Sequence, residues 1–227
     1  FAYDGTDIII NVACPASPDS NELDILDACS NLVKKLLDKC VFAKSMFIQL
    51  SSGEADMMRS IDHPHRCYSV GKRFAETLCH EYHKQYGVDT RIVRLYNTYG
   101  KGMRLDYNRC QSKFINDAIN NPFINVQGQA LHIRTFTHID DTVRGIDTIM
   151  EYGKAGETYE LANPYPVSIA EFAQIVGKVS NKLVKFSGAY TDKDVIVPDI
   201  SKLKALGWEA KVGLEEGVRR TISECIK

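Results

Sequence analysis

The sequence predicts an α/β protein built on a doubly wound parallel sheet, and three observations carry that prediction. The stretch "TDIIINVACPASP" (6–18) is a continuous apolar run that ends in Pro and small residues, as a strand buried on both faces does. Strand-like and helix-like segments then alternate, the order that winds a parallel sheet. Finally, successive strands end in small or polar residues, "ACPASP", "LSSGE" and "YNTYG". Doubly wound sheets keep their sites at those carboxyl ends.

The elements follow in order. "NELDILDACSNLVKKLLDKC" (21–40) carries Leu23, Leu26, Leu32, Val33, Leu36 and Leu37 at helical spacing. "SMFIQLSSGE" (45–54) reads as a strand, "CYSVGKRFAETLCHEYHKQYG" (67–87) as a helix closed by Gly87, and "DTRIVRLYNTYG" (89–100) as a strand running into a glycine turn. In the second half "QSKFINDAIN" reads as a helix, and "FINVQG" and "IRTFTHI" as strands. "DDTVRGIDTIMEYG" reads as a helix with Asp at its start, "ETYELANP" as a strand, and "SIAEFAQIVGKVSNK" as a helix capped by Ser168. "DISKLKALGW" and "GLEEGVRRTISECIK" complete the chain as two further helices.

The 227 residues suit one large domain or a domain with a smaller appendage. Apolar content of 44% with 25% charged residues is that of a soluble globular chain, and a net charge of −1 gives no nucleic-acid footprint. No apolar run approaches a membrane span, and no basic-then-apolar segment opens the sequence. The seven cysteines are scattered and lack CxxC spacing, which favours reduced thiols and a cytoplasmic location over a disulfide framework. His80 and His83 share a helix face, but no third ligand is evident, so a solvated face is the better reading and no metal is expected. The chain begins at Phe1 and enters a strand almost at once, which reads as a fragment or a processed product.

Tyr68 and Lys72 stand four apart on a helix and so share a face. An ammonium beside a phenol lowers its pKa and readies it to take a proton from a sugar hydroxyl. Spacing alone fits an ordinary amphipathic helix equally well. The small residues that end the two preceding strands favour the catalytic reading, because a hydroxyl of "LSSGE" could bond the same substrate oxygen and the small residues of "ACPASP" let a flat ring approach the backbone.

Together "ACPASP" (13–18), "SSGE" (51–54), "CYSVGKRFAET" (67–77), "RLYNTYGKGM" (94–103), "NRCQSKFI" (108–115), "IRTFTHIDD" (133–141), "ETYELANP" (157–164) and the closing "PDISKLKALGWE…LEEGV" carry a resemblance over essentially the whole chain. It resembles the extended short-chain dehydrogenase/reductases, the NAD-dependent epimerase/dehydratase family, and within them the UDP-glucuronate decarboxylases (UDP-xylose synthases). The resemblance implies a Rossmann-like NAD-binding domain (1–101 with 132–164) and a smaller C-terminal α/β substrate domain (102–131 with 165–227). It assigns Tyr68 as the base for the sugar C4 hydroxyl, Lys72 as the group that lowers its pKa and binds the nicotinamide ribose, and Ser52 as the partner hydroxyl. Glu54 falls near sugar C5 and C6, Ala13 and Thr98 near the cofactor, and Asn97, Arg109 and Arg134 on the nucleotide sugar, the two arginines against its diphosphate.

The implied reaction is internal redox on a UDP- or dTDP-linked sugar. Hydride passes from C4 to NAD, the resulting 4-keto uronic acid loses CO₂, and the hydride returns. A 4,6-dehydratase or a 4-epimerase of the same fold is the near alternative, and a truncated, non-catalytic homologue that binds a partner or nucleotide sugar is the distant one. Gly53 stands where the dehydratases carry an acid for the leaving C6 hydroxyl, which favours the decarboxylase. The resemblance also implies a homodimer through helices 23–39 and 67–86, and a role in polysaccharide biosynthesis. Three departures accompany it. No GxGxxG or GxxGxxG follows a strand, so this chain by itself is expected to bind NAD poorly. "ADMMRSIDHPHR" is a short connection from Ser52 to Tyr68, and Ile196 and Val197 stand where the family has an arginine.

Overall fold

In chain order the elements are β1 (Ile8–Asn11), α1 (Glu22–Asp27), α2 (Val33–Ala43), β2 (Met46–Ser52), α3 (Arg66–Tyr86), β3 (Thr90–Leu95), β4 (Thr98–Tyr99), α4 (Cys110–Asn120), β5 (Phe123–Gln127), β6 (Ile133–Arg134), β7 (Thr137–His138), α5 (Ile139–Tyr152), β8 (Thr158–Leu161), β9 (Val167–Ser168), α6 (Ile169–Ser180), β10 (Leu183–Ser187), α7 (Ser201–Ala205) and α8 (Leu214–Cys225). They are seen in a computed structural model that describes residues 7–14, 20–57, 60, 62–107, 109–188 and 193–226. Residues 15–18 of "ACPASP", Met58, Arg59 and Ile61 of the short connection, and Asn108 of "NRCQSKFI" lie outside the described residues. The chain divides into two units, Phe1–Leu95 with Ile146–Leu161 and Ser201–Gly207, and Tyr96–Gly145 with Ala162–Ile200 and Trp208–Lys227.

The first unit is a parallel sheet in the order β1-β2-β3-β8. Ile9 pairs with Phe47, Leu50 with Val93 and Val93 with Tyr159. In the central strands β2 and β3 both faces are covered, and Phe47, Ile48, Ile92 and Val93 are fully buried, whereas β1, expected to be buried on both faces, lies at the sheet edge with Ile9 buried and Ile10 42% exposed. Helix α3 buries Ser69, Lys72, Ala75, Glu76, Cys79 and Tyr82 along one stripe. It stops at Gly87, whose φ of 69° suits glycine and whose N–H donates to the His83 carbonyl. The helix read over 21–40 forms with one change. Residues Ala28–Leu32 widen into a π turn between α1 and α2, which fixes Cys29 in the core. Arg91 closes the C-terminal end of α5 by donating to the carbonyls of Ile149 (2.7 Å) and Met150 (2.8 Å) while Asp89 holds its other edge. The result is the parallel-sheet, Rossmann-like α/β fold that the strand and helix alternation predicts.

The second unit has its own core of Phe114, Ile115, Ile124, Phe136, Phe172, Val176 and Val218, with Phe136 and Phe172 stacked at 3.9 Å. Helix α6 begins with a capping box, Ser168 Oγ accepting the Glu171 N–H while the Glu171 carboxylate accepts the Ser168 N–H. "IRTFTHI" is two short strands rather than one. β6 pairs antiparallel with β9 and β7 parallel with β4, because Phe136 turns inward onto Phe172 between them. Strand β10 pairs parallel with β5 and was not anticipated from the sequence. Buried Asp141 ties down the segment before α8, accepting the N–H groups of Lys211 (3.1 Å) and Val212 (2.9 Å).

Candidate active site

The carboxyl end of β2 and the first half of α3 converge in the first unit. Lys72 is buried, and its Nζ donates to the Leu50 carbonyl at 3.0 Å while lying 5.6 Å from the centre of the Tyr68 ring. That bond fixes the ammonium against the strand end, with the Tyr68 ring beside it. Ser52 is the last residue of β2. Its Oγ accepts the Glu54 N–H at 3.2 Å and starts the 3-10 turn Gly53–Asp56. Accepting there leaves the hydroxyl proton to donate elsewhere. Glu54 is held toward α3 by the Ser69 hydroxyl, which donates to it at 3.3 Å. Ala13 follows β1, its N–H held by the Asn11 side chain at 3.1 Å, and Asn11 is itself fixed by a 2.9 Å bond to Gln49. Ser52, Glu54, Tyr68 and Lys72 are thus joined by β2, its 3-10 turn and α3.

Four of the sequence-derived residues belong to the second unit. Asn97 takes a left-handed conformation (φ 33°) and donates to the Thr135 carbonyl at 3.0 Å. Thr98 starts β4, with its Oγ1 3.4 Å from that of Thr142. The turn that follows needs glycine at position 100, where φ is 144° and a Cβ would lie 2.4 Å from Ile139 Cγ2. Arg109 caps α4, its guanidinium carbon 5.9 Å from the Tyr107 ring centre. Arg134 pairs with Asp194 at 2.6 Å and also donates to the Ile133 carbonyl. The Arg134 guanidinium is therefore already engaged by a carboxylate.

The sequence reading passed over the groups beneath the site. Ser51 Oγ donates to Glu76 at 2.6 Å, and Glu76 takes a two-point grip from Arg94 at 2.9 and 2.8 Å. Arg94 also bonds Asp56, which in turn holds Arg73 at 2.7 Å. This chain, buried at Ser51 and Glu76 and exposed at Asp56 and Arg73, ties β2, the 3-10 turn, α3 and β3 together. Glu76 follows Lys72 by four on the same helix, but nothing in that spacing pairs it with Ser51 or Arg94.

This class of fold, a parallel sheet with a Tyr/Lys helix against its carboxyl edge, has recognisable relatives. Residues 1–162 match the model of the NAD dependent epimerase/dehydratase family, and the chain belongs to that family. It is 33% identical to UDP-glucuronic acid decarboxylase 1 of Arabidopsis thaliana over 96% of its own length and 54% of that protein's. It is 38% identical to UDP-glucuronic acid decarboxylase 1 of Danio rerio over 70% of its length and 39% of that protein's. The chain thus spans about half, or less, of these relatives. Among solved structures it is similar to the UDP-glucuronic acid 4-epimerase of Bacillus cereus in complex with UDP-glucuronic acid and NAD (TM-score 0.82, 24% identity, 96% of this chain, 74% of that one). It is also similar to RMD of Pseudomonas aeruginosa complexed with NADPH (TM-score 0.83, 18% identity, 96% of this chain, 80% of that one).

The family is NAD dependent, and the residues present fit one end of that cofactor. Lys72, fixed at the carboxyl end of β2, places a cation and hydrogen-bond donor beside the Tyr68 ring, the kind of group that a polyol such as a ribose needs. The 227 residues contain no glycine-rich strand-to-helix fingerprint for the pyrophosphate end. Among the described residues no group of three His, Cys, Asp or Glu side chains could hold a metal, and no helix is long and apolar enough to cross a membrane.

Proposed function

We propose that this chain belongs to a nucleotide-sugar enzyme that works through a 4-keto intermediate and decarboxylates UDP-glucuronate. The single observation that supports it best is Lys72, buried and bonded to the Leu50 carbonyl beside the Tyr68 ring. Lys72 and Tyr68 would hold the nicotinamide ribose with Ala13 nearby, and the family resemblance assigns Thr98 to the cofactor as well. When bound, NAD supplies a reversible two-electron acceptor at sugar C4.

The chain's own residues do the rest. Tyr68 takes the C4 hydroxyl proton, Lys72 favours its phenolate, and Ser52 donates to the same oxygen. The C4 ketone so formed lies β to the C6 carboxylate, so CO₂ departs without further activation. Glu54 lies on the C5/C6 side and manages the proton that C5 regains. Arg109 and Arg134 hold the nucleotide diphosphate, with Arg134 exchanging Asp194 for phosphate oxygens, and Asn97 contacts a phosphate or the sugar. Gly53 offers no acid to a leaving C6 hydroxyl, which argues against the dehydratase.

The protein pairs with a second copy through α1, α2 and α3, where Leu23, Phe42, Val70 and Phe74 are exposed. Light scattering on the purified protein reads that directly, and a monomer at every concentration tried removes the dimer. The reaction is tested by supplying UDP-glucuronate and NAD to the protein that carries this sequence. A UDP-pentose with CO₂ release is expected. A UDP-hexuronate epimer or no conversion refutes the decarboxylase reading.

A further inference from the structure

Two thiols stand together where β1 meets the π turn. Cys14 Sγ lies 3.6 Å from Cys29 Sγ. Cys14 is half-buried at the end of the β1 segment, and Cys29 is buried in the turn between α1 and α2. Helix α3 passes directly over Cys29. A Cβ on Gly71 would lie 3.1 Å from Cys29 Cβ and 3.2 Å from its sulfur, and Gly71 immediately precedes Lys72.

The two sulfurs are not equivalent. The hydrogen bond with Cys29, and after it the Lys72 ammonium, bring the Cys14 thiol down to about 7 against the opposing effect of burial. The shared hydrogen bond and burial push Cys29 up. The shared hydrogen bond and the Lys72 ammonium thus favour the thiolate at Cys14 and the thiol at Cys29, the arrangement in which one sulfur reacts and the other resolves it. The remaining cysteines are unlike this. Burial holds Cys40 and Cys110 at about 11 and raises Cys79 further, and Cys67 and Cys225 are also raised.

We propose that Cys14 and Cys29 form a reversible redox site, in which a peroxide oxidises Cys14 and Cys29 resolves it to an intramolecular disulfide. The Cys14 thiolate attacks one peroxide oxygen, the O–O bond breaks, and hydroxide leaves and takes a proton. Cys14 is then a sulfenic acid. The Cys29 sulfur attacks the Cys14 sulfur, the S–O bond breaks, and the hydroxyl leaves with the Cys29 proton as water. Two thiols lose two electrons, and one peroxide becomes two waters. A dithiol reverses the change by exchange. A disulfide bond is about 2 Å long, so the sulfurs need approach by only about 1.5 Å. The inference rests on the two sulfurs and not on which reaction Tyr68 serves.

The test is peptide mapping of the whole protein after brief treatment with hydrogen peroxide, thiol blocking and digestion without reductant. The expected product is a Cys14–Cys29 cross-linked peptide, about 2 Da lighter than its two thiol peptides and absent after dithiothreitol. Cys14 is consumed about tenfold or more faster than Cys67 or Cys225. In Cys29→Ser, dimedone traps Cys14 as the sulfenic acid. The proposal is overturned if Cys14 reacts no faster than Cys67, if it passes to the sulfinic acid without cross-linking, or if the disulfide joins other cysteines. The wild-type map decides the matter even where a variant folds poorly.

Discussion

Replacing Glu76 with Leu should destabilise the first unit more than any surface change, and the size follows from what is left behind. Glu76 is 3% exposed, and it accepts from Ser51 and from two nitrogens of Arg94. First Glu76 and then Asp56 raise the Arg94 pKa, a mark of how strongly the guanidinium is held. Deleting one partner of a buried pair costs roughly 3–5 kcal/mol, because the other charge stays buried. Arg94 keeps Asp56 and a more distant Glu160 at 3.6 Å, which sets the cost at the low end, about 3 kcal/mol. For a chain of this length that is a fall in Tm of roughly 6–12 °C. The assay is thermal unfolding followed by circular dichroism, with Arg94→Leu and the double variant measured alongside. The double variant removes both charges and should be less damaged than the sum of the single changes. A Glu76→Leu loss below about 1 kcal/mol, or strict additivity, would refute the reasoning.

Four further outcomes are expected. Gly100→Ala should cost about 1–3 kcal/mol, read by urea unfolding, because its φ of 144° and the Ile139 side chain both oppose a Cβ. Ser168→Ala should cost about 1 kcal/mol through loss of the capping box. The same box sets a pH dependence. The Ser168 N–H, and then its hydroxyl, lower the Glu171 pKa, so the contribution is present above the unfolded-chain value and lost as pH falls through the folded one. Glu171→Gln should therefore flatten that part of the acid limb in a stability-against-pH profile. On the role proposed for Lys72 beside the Tyr68 ring, Lys72→Met should lower turnover of UDP-glucuronate by roughly 10²-fold or more in a steady-state assay.

The first unit was legible because its central strands β2 and β3 are buried on both faces and its helices on one. "TDIIINV" and "MFIQLSS" can be little else, and Gly87 marks the end of α3 by the conformation it takes. Strand β10 was missed because "LVKFS" is mostly exposed and pairs with β5 on one edge only, so it has neither the apolar run nor a clean alternation. The π turn at Ala28–Leu32 leaves no mark in helical periodicity that an ordinary turn would not. Tyr68, Lys72 and Ser52 could be picked out by spacing and strand-end position. The Ser51–Glu76–Arg94 chain could not, because it is a contact between three elements whose register only folding fixes. The Cys14–Cys29 pair escaped for the same reason, since its sulfurs sit on separate elements that meet only in the fold.

The central claim, that Tyr68 carries the proton at sugar C4, is tested most directly by Tyr68→Phe in the protein that carries this sequence. Turnover of UDP-glucuronate and calorimetric binding of the same compound are measured on one preparation. The account predicts a fall in turnover of roughly 10²–10⁴-fold with affinity nearly unchanged. Turnover within about tenfold of the wild type, or a loss matched by lost binding, would contradict it.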